Sequence, residues 1–155
     1  MRKCVLLSIA VCCTFFSSVS AADQEPKIRA ELVSPVPDSE AQRMQSVSFR
    51  PEETLDNLPL LVVRSAEPNS PWWVQERLLT TAEGELTGTA WIGNATTPAG
   101  SRFYLRLVVP KDESARADLK RGVTLKDLST FWSSKSFSLT TGQRATPEAV
   151  SVPTP

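Results

Sequence analysis

Two stretches of period-two alternation constrain this chain more than any other feature. Leu86, Gly88, Ala90 and Ile92 alternate with Thr87, Thr89 and Trp91, and Phe103, Leu105, Leu107 and Val109 alternate with Arg102, Tyr104, Arg106 and Val108. Successive side chains change sides only in an extended backbone, so each stretch predicts a strand with one face on a core. A loop running from Gly93-Asn94 to Gly100-Ser101 joins them, and the direct reading is a hairpin. Setting core face against core face puts Ile92 opposite Phe103, Ala90 opposite Leu105, Gly88 opposite Leu107 and Leu86 opposite Val109. The same ladder makes Trp91 and Tyr104 outward neighbours.

Shorter signals of the same kind surround this pair. Ile28, Ala30 and Leu32 alternate with charged residues until Pro35 and Pro37, and Val47 and Phe49 alternate until Pro51. Leu60 to Val63 is an unbroken apolar run between Pro59 and Pro68, which suits a strand buried on both faces. After the turn signal Glu67-Pro68-Asn69-Ser70-Pro71, residues Trp72 to Leu79 mix large apolar side chains with Gln75, Glu76 and Arg77. Adjacent Trp72 and Trp73 must point to opposite faces, one into a core and the other under a loop or at an edge. The charged stretch Lys111 to Lys120 predicts a loop or one to two helical turns, Val123 and Leu125 a short extended piece, and Phe137 and Leu139 a last strand. Trp132 beside Phe131 is expected to plug one end. About seven strands with Pro and Gly breaks predict an all-β fold, a single antiparallel β-sandwich.

The N-terminus carries Arg2 and Lys3, then the apolar run Val5 to Val11, then small residues at Val19-Ser20-Ala21, the pattern of a secretory signal peptide cleaved after Ala21. Residues 1–21 are therefore expected to be a leader, 22–26 a flexible start, 27–141 the domain and 142–155 a disordered Pro/Thr-rich tail. The predicted site of action is extracytoplasmic, periplasmic or secreted. The apolar run is too short to span a bilayer, and no later stretch of sequence qualifies. Cys12 and Cys13 lack the small preceding residue of a lipidation motif, so lipid anchoring is not expected.

Losing the leader removes Arg2 and Lys3 from 17 basic residues against 17 acidic ones, for a formal charge of −2. That balance gives no reason to expect a nucleic-acid partner. All three cysteines leave as well, so no disulfide or thiolate metal site is expected, and stability must come from burial.

The chain contains no histidine, which removes the commonest general base and metal ligand and excludes Ser-His-Asp and Cys-His sites. Ser133-Ser134-Lys135 has the residues of a Ser-Lys pair but reads as a polar connector, and the adjacent carboxylates Glu52-Glu53 and Asp112-Glu113 read as solvated surface. Asn94-Ala95-Thr96 matches a glycosylation sequon, with Asn94 read first as a turn residue. No cofactor, metal or catalytic residue is predicted.

Leu60 to Val63, Trp72-Trp73-Val74-Gln75, Gly84 to Gly93 and Gly100-Ser101-Arg102-Phe103-Tyr104-Leu105 together resemble the middle strands of bacterial extracytoplasmic immunoglobulin-like or fibronectin-III-like modules. The resemblance covers about half of the mature chain and lacks the cysteine pair around a central Trp. It implies a non-catalytic binding or structural module, with a protein or carbohydrate partner. The alternative is an enzyme or enzyme inhibitor whose site lies in loops. From the alternation, the candidate binding residues are Trp91 and Tyr104 edged by Arg102 and Arg106, an outward aromatic platform flanked by guanidinium groups.

Overall fold

A computed structural model of the protein describes residues 27–142. The segments expected to be a leader and an N-terminal lead-in, and the tail beyond Gly142, lie outside the described residues. The strands are β1 (Ala30–Ser34), β2 (Glu40–Ala41), β3 (Met44–Pro51), β4 (Leu60–Ser65), β5 (Trp72–Arg77), β6 (Leu79–Thr80), β7 (Leu86–Trp91), β8 (Arg102–Pro110), β9 (Thr124–Leu125), β10 (Phe131–Ser133) and β11 (Phe137–Thr141). They form two sheets. Sheet I has the order β1-β3-β7-β6, and sheet II the order β2-β11-β8-β4-β5-β9, with β10 also paired to β8. Pairing is antiparallel except between β2 and β11, which run parallel, so the expectation of purely antiparallel pairing is corrected at that edge.

The two sheets share one core. Phe49, Leu86, Ala90 and Ile92 of sheet I and the chain beside it meet Leu61, Val63, Leu105, Leu107 and Leu139 of sheet II, all almost fully buried. Phe49 packs its ring 5.5 Å from that of Phe137 across the interior. Residues at alternate positions leave water together, which is why period two was visible in the sequence. Gly88 interrupts its strand because Leu78 lies over it: a β-carbon there would come within 2.7 Å of Leu78 Cδ2.

The predicted hairpin does not form. β7 pairs with β3 and β6, whereas β8 pairs with β4, β10 and β11 in the other sheet. The connection between them crosses from one sheet to the other, so the alternating faces oppose each other through the core rather than lying edge to edge. Alternation states which side of a strand is buried and carries no information about which strand lies beside it.

Sheet II is covered on its outer face too. Leu60, Val62, Trp72, Val74 and Val108 make a second cluster beneath Leu119, Val123, Leu125, Leu128 and Phe131. β4 is thus buried on both sides, the physical origin of its unbroken apolar run. The covering chain begins with a 3-10 turn at Glu113–Asp118, capped by Asp112, and returns along the edge of β5 as β9. Backbone bonds from Val74 N–H to Val123 and from Gly122 N–H to Val74 hold it there.

Candidate functional site

The predicted platform is divided between two places. Trp91, at the end of β7, lines a cleft of about 570 Å3 at one end of the two-sheet core, with Trp73, Gln75, Phe103 and Arg121 among the other walls. Tyr104, Arg102 and Arg106 lie on the outer face of sheet II, where Tyr104 is level with Arg64 of β4 on one side and Ser138 of β11 on the other. Trp91 and Tyr104 are therefore not cross-strand neighbours, because their strands belong to different sheets.

The cleft is assembled around Gln75. This side chain is only 5% exposed and accepts from the Trp91 backbone N–H at 2.8 Å, while its Nε2 donates to the Trp73 carbonyl at 3.0 Å. β6 pairs with β7 only at Leu86 and Thr87, so the amide of Gln75 stands where a neighbouring strand would otherwise bond and ties sheet I to sheet II. Trp73, on the opposite side of β5 from buried Trp72, remains 36% exposed. This satisfies the expectation that the two indoles face apart, with Trp72 in the second cluster rather than between the sheets.

Arg121 closes the other wall. Its guanidinium lies 4.5 Å from the Trp91 ring centroid and forms a 2.6 Å ion pair with Glu76 of β5. The indole Nε1 of Trp91 is buried and has no hydrogen-bond partner among the described residues. The remaining lip is the loop after β7. Gly93 has φ of +74°, and a β-carbon there would meet the Thr97 side chain at 2.6 Å. Asn94 Oδ1 accepts from Thr96 N–H and from the Thr96 and Thr97 hydroxyls, so Asn94 anchors a turn, as its type predicts. Hydroxyl and carboxylate groups of Ser65, Glu67, Ser70 and Ser101 also line the cleft.

On the outer face of sheet II the aromatic and guanidinium groups interleave. Arg64 lies 4.9 Å from the Trp72 ring centroid and 5.9 Å from that of Tyr104, and Arg106 lies 5.6 Å from Trp72. Arg106 Nε also donates to Ser136 Oγ at 2.6 Å. The sequence pattern pointed to Tyr104 flanked by arginines but missed Arg64 and Trp72, whose place depends on strand pairing between distant segments.

Other sequence candidates take structural roles. Ser134 is 2% exposed, its hydroxyl accepting from Leu107 N–H at 3.0 Å and donating to the Lys135 carbonyl at 2.8 Å, so it joins β10 and β11 to β8 instead of forming a solvated connector. Trp132 does not plug an end. It lies on β10, 36% exposed, with the Lys27 and Lys111 ammonium groups each 6.0 Å from its ring. Asp112 is occupied in capping, and Glu52 and Glu53 are exposed. Among the described residues no group of three His, Cys, Asp or Glu side chains could hold a metal, and no helix is long and apolar enough to cross a membrane. Comparison with protein-family models, with curated proteins and with solved structures finds no match for this chain.

Proposed function

We propose that the protein is an exported binding module of immunoglobulin-like architecture, without catalytic chemistry of its own, and that its ligand is a carbohydrate seated in the Trp73–Trp91 cleft. The architectural part of this reading is supported by strand order. Sheet I follows the A-B-E-D pattern and the centre of sheet II the G-F-C pattern of that fold, β5 serving as the extra strand beside C.

The observation that carries the ligand is the presence of two indoles from different sheets, Trp73 being 36% exposed, in one cleft whose lining mixes apolar side chains such as Val63 and Phe103 with hydroxyl, amide, carboxylate and guanidinium groups. The flat apolar faces of a sugar ring suit an indole, and its hydroxyls suit short polar side chains. The cleft volume falls within the range of about 300–1,000 Å3 typical of small-ligand sites.

A glycan array probed with the chain from Ala22 onward, followed by calorimetric titration of the best oligosaccharide, tests the reading. Trp73→Ala should weaken that ligand at least about tenfold in a variant that retains the circular dichroism of the parent. Absence of any glycan binding, or equal binding by the variant, would refute it.

A further inference from the structure

The outer face of sheet II carries a second surface, independent of the cleft. Arg102, Tyr104 and Arg106 share one side of β8, and Arg64 on β4 is level with Tyr104. Same-side residues of a strand repeat at about 6.8 Å, so the three arginines stand at successive steps of that interval along the strand direction. Beyond them the covering chain protects Trp72, whereas Arg102 is exposed and Tyr104, Arg64 and Arg106 are half-buried.

Ion pairs among the described residues join Arg50 to Glu85, Arg116 to Glu113 and Arg121 to Glu76. Among the described residues neither Arg64 nor Arg102 has a carboxylate partner. Arg64 is the more demanding of the two, since it is half-buried between aromatic rings and its Nε is buried without an acceptor. A guanidinium drawn out of water with no counter-charge is destabilising, and an arriving carboxylate offsets that cost. Nearby acidic residues are at the β2 edge: Asp38 accepts from Ser138, and Glu40 is level with Thr140.

We infer that this face docks an extended acidic peptide segment of a partner protein, with carboxylates at alternate residues. An extended chain presents side chains of one face at the same interval as separates Arg102 from the level of Arg64, so carboxylates at positions i and i+2 can meet Arg102 and Arg64 together. Guanidinium forks take carboxylates in planar, two-bonded geometry, which makes the match one of spacing as well as sign. A negatively charged chain with another repeat forfeits the register.

Fluorescence anisotropy with short labelled peptides tests this on the chain from Ala22 onward, at low and physiological ionic strength. The probes are an alternating Glu-Ser peptide, its Gln-Ser counterpart, and a block peptide of equal charge with all glutamates together. The alternating peptide should bind, the neutral one should not, and the block peptide should bind at least about fivefold more weakly. Arg102→Gln should weaken the alternating peptide by about fivefold and Arg102→Glu by more, with Tm unchanged because Arg102 is exposed. Arg43→Gln, a change at an exposed arginine off this face, should have no effect. Equal binding of alternating and block peptides, equal loss in the Arg43 variant, no loss in the Arg102 variants, or tighter binding of a sulfated polysaccharide than of the peptide would each overturn the inference.

Discussion

At the scale of single residues, the buried polar side chains say most about how the sheets are joined. Gln75 follows Trp72-Trp73-Val74 on β5 and in the sequence is one polar residue among several. In the fold it supplies the acceptor for Trp91 N–H and a donor for the Trp73 carbonyl. Replacing it by Leu preserves most of the volume but leaves both backbone groups without those partners, at a cost of about 1–3 kcal/mol for a buried unsatisfied donor. Gln75→Leu should therefore lower the stability measured by urea denaturation by that order, while Glu76→Gln, which touches only an exposed ion pair, should change it by less than about 1 kcal/mol. Equal effects would mean that Gln75 does not hold the two sheets together.

Between elements, the decisive fact is the crossing from β7 to β8. Trp91 and Tyr104 would have been a coupled pair in a hairpin, worth about 0.2–1 kcal/mol. In the fold Trp91 contacts Arg121 while Tyr104 lies near Arg64, so they share no partner. A double-mutant cycle of Trp91→Thr and Tyr104→Ser should give additive losses to within about 0.3–0.5 kcal/mol. Coupling beyond that would restore the hairpin. The same contrast shows what the sequence made legible. Alternation identified the buried faces of β7, β8 and β11, and the unbroken run at Leu60 identified a strand buried on both sides. It could not report edge partners, since pairing is a relation between segments. The turn at 113–118 and the extended piece at Leu125 were legible, but the covering role of the segment was not: Leu119, Val123, Leu125, Leu128 and Phe131 reach the second cluster from short strands and the irregular backbone between them, so their spacing has no single period. Of the candidate site, Trp91, Tyr104, Arg102 and Arg106 were visible because they interrupt apolar alternation. Trp73 and Arg121 became neighbours of Trp91 only through the crossing and the return of the covering chain.

For the molecule as a whole, hydrogen-bonded carboxylates brace both sheet I and the turns of the covering chain, and this gives stability a definite dependence on pH. In sheet I, Glu85 accepts from Ser48 Oγ and from Arg50, each at 2.7 Å. Those bonds, the Ser48 one foremost, hold its carboxyl below the ordinary value of 4.5. In the covering chain, Asp112 accepts from the Ser114 hydroxyl and N–H, and Asp127 from the Ser129 hydroxyl and N–H, which hold both below the ordinary 3.8. A carboxyl whose folded pKa is depressed binds protons more readily in the unfolded chain, so its contribution is complete above the unfolded value and is lost as pH falls through the folded one. Tm should be nearly level from neutral pH to about pH 5 and then decline, as the unfolded chain takes up protons first. Glu85→Gln isolates one of the three. It removes the charged acceptor at neutral pH, so the variant should melt lower than the parent there, and the gap should narrow as acidification protonates Glu85 in the parent. Parallel thermal melts of parent and variant from neutral pH down through pH 4.5 and below check this, the other carboxylates supplying a background common to both. A gap that stays constant or widens toward acid would show that the Ser48–Glu85–Arg50 bonds do not stabilise the folded sheet.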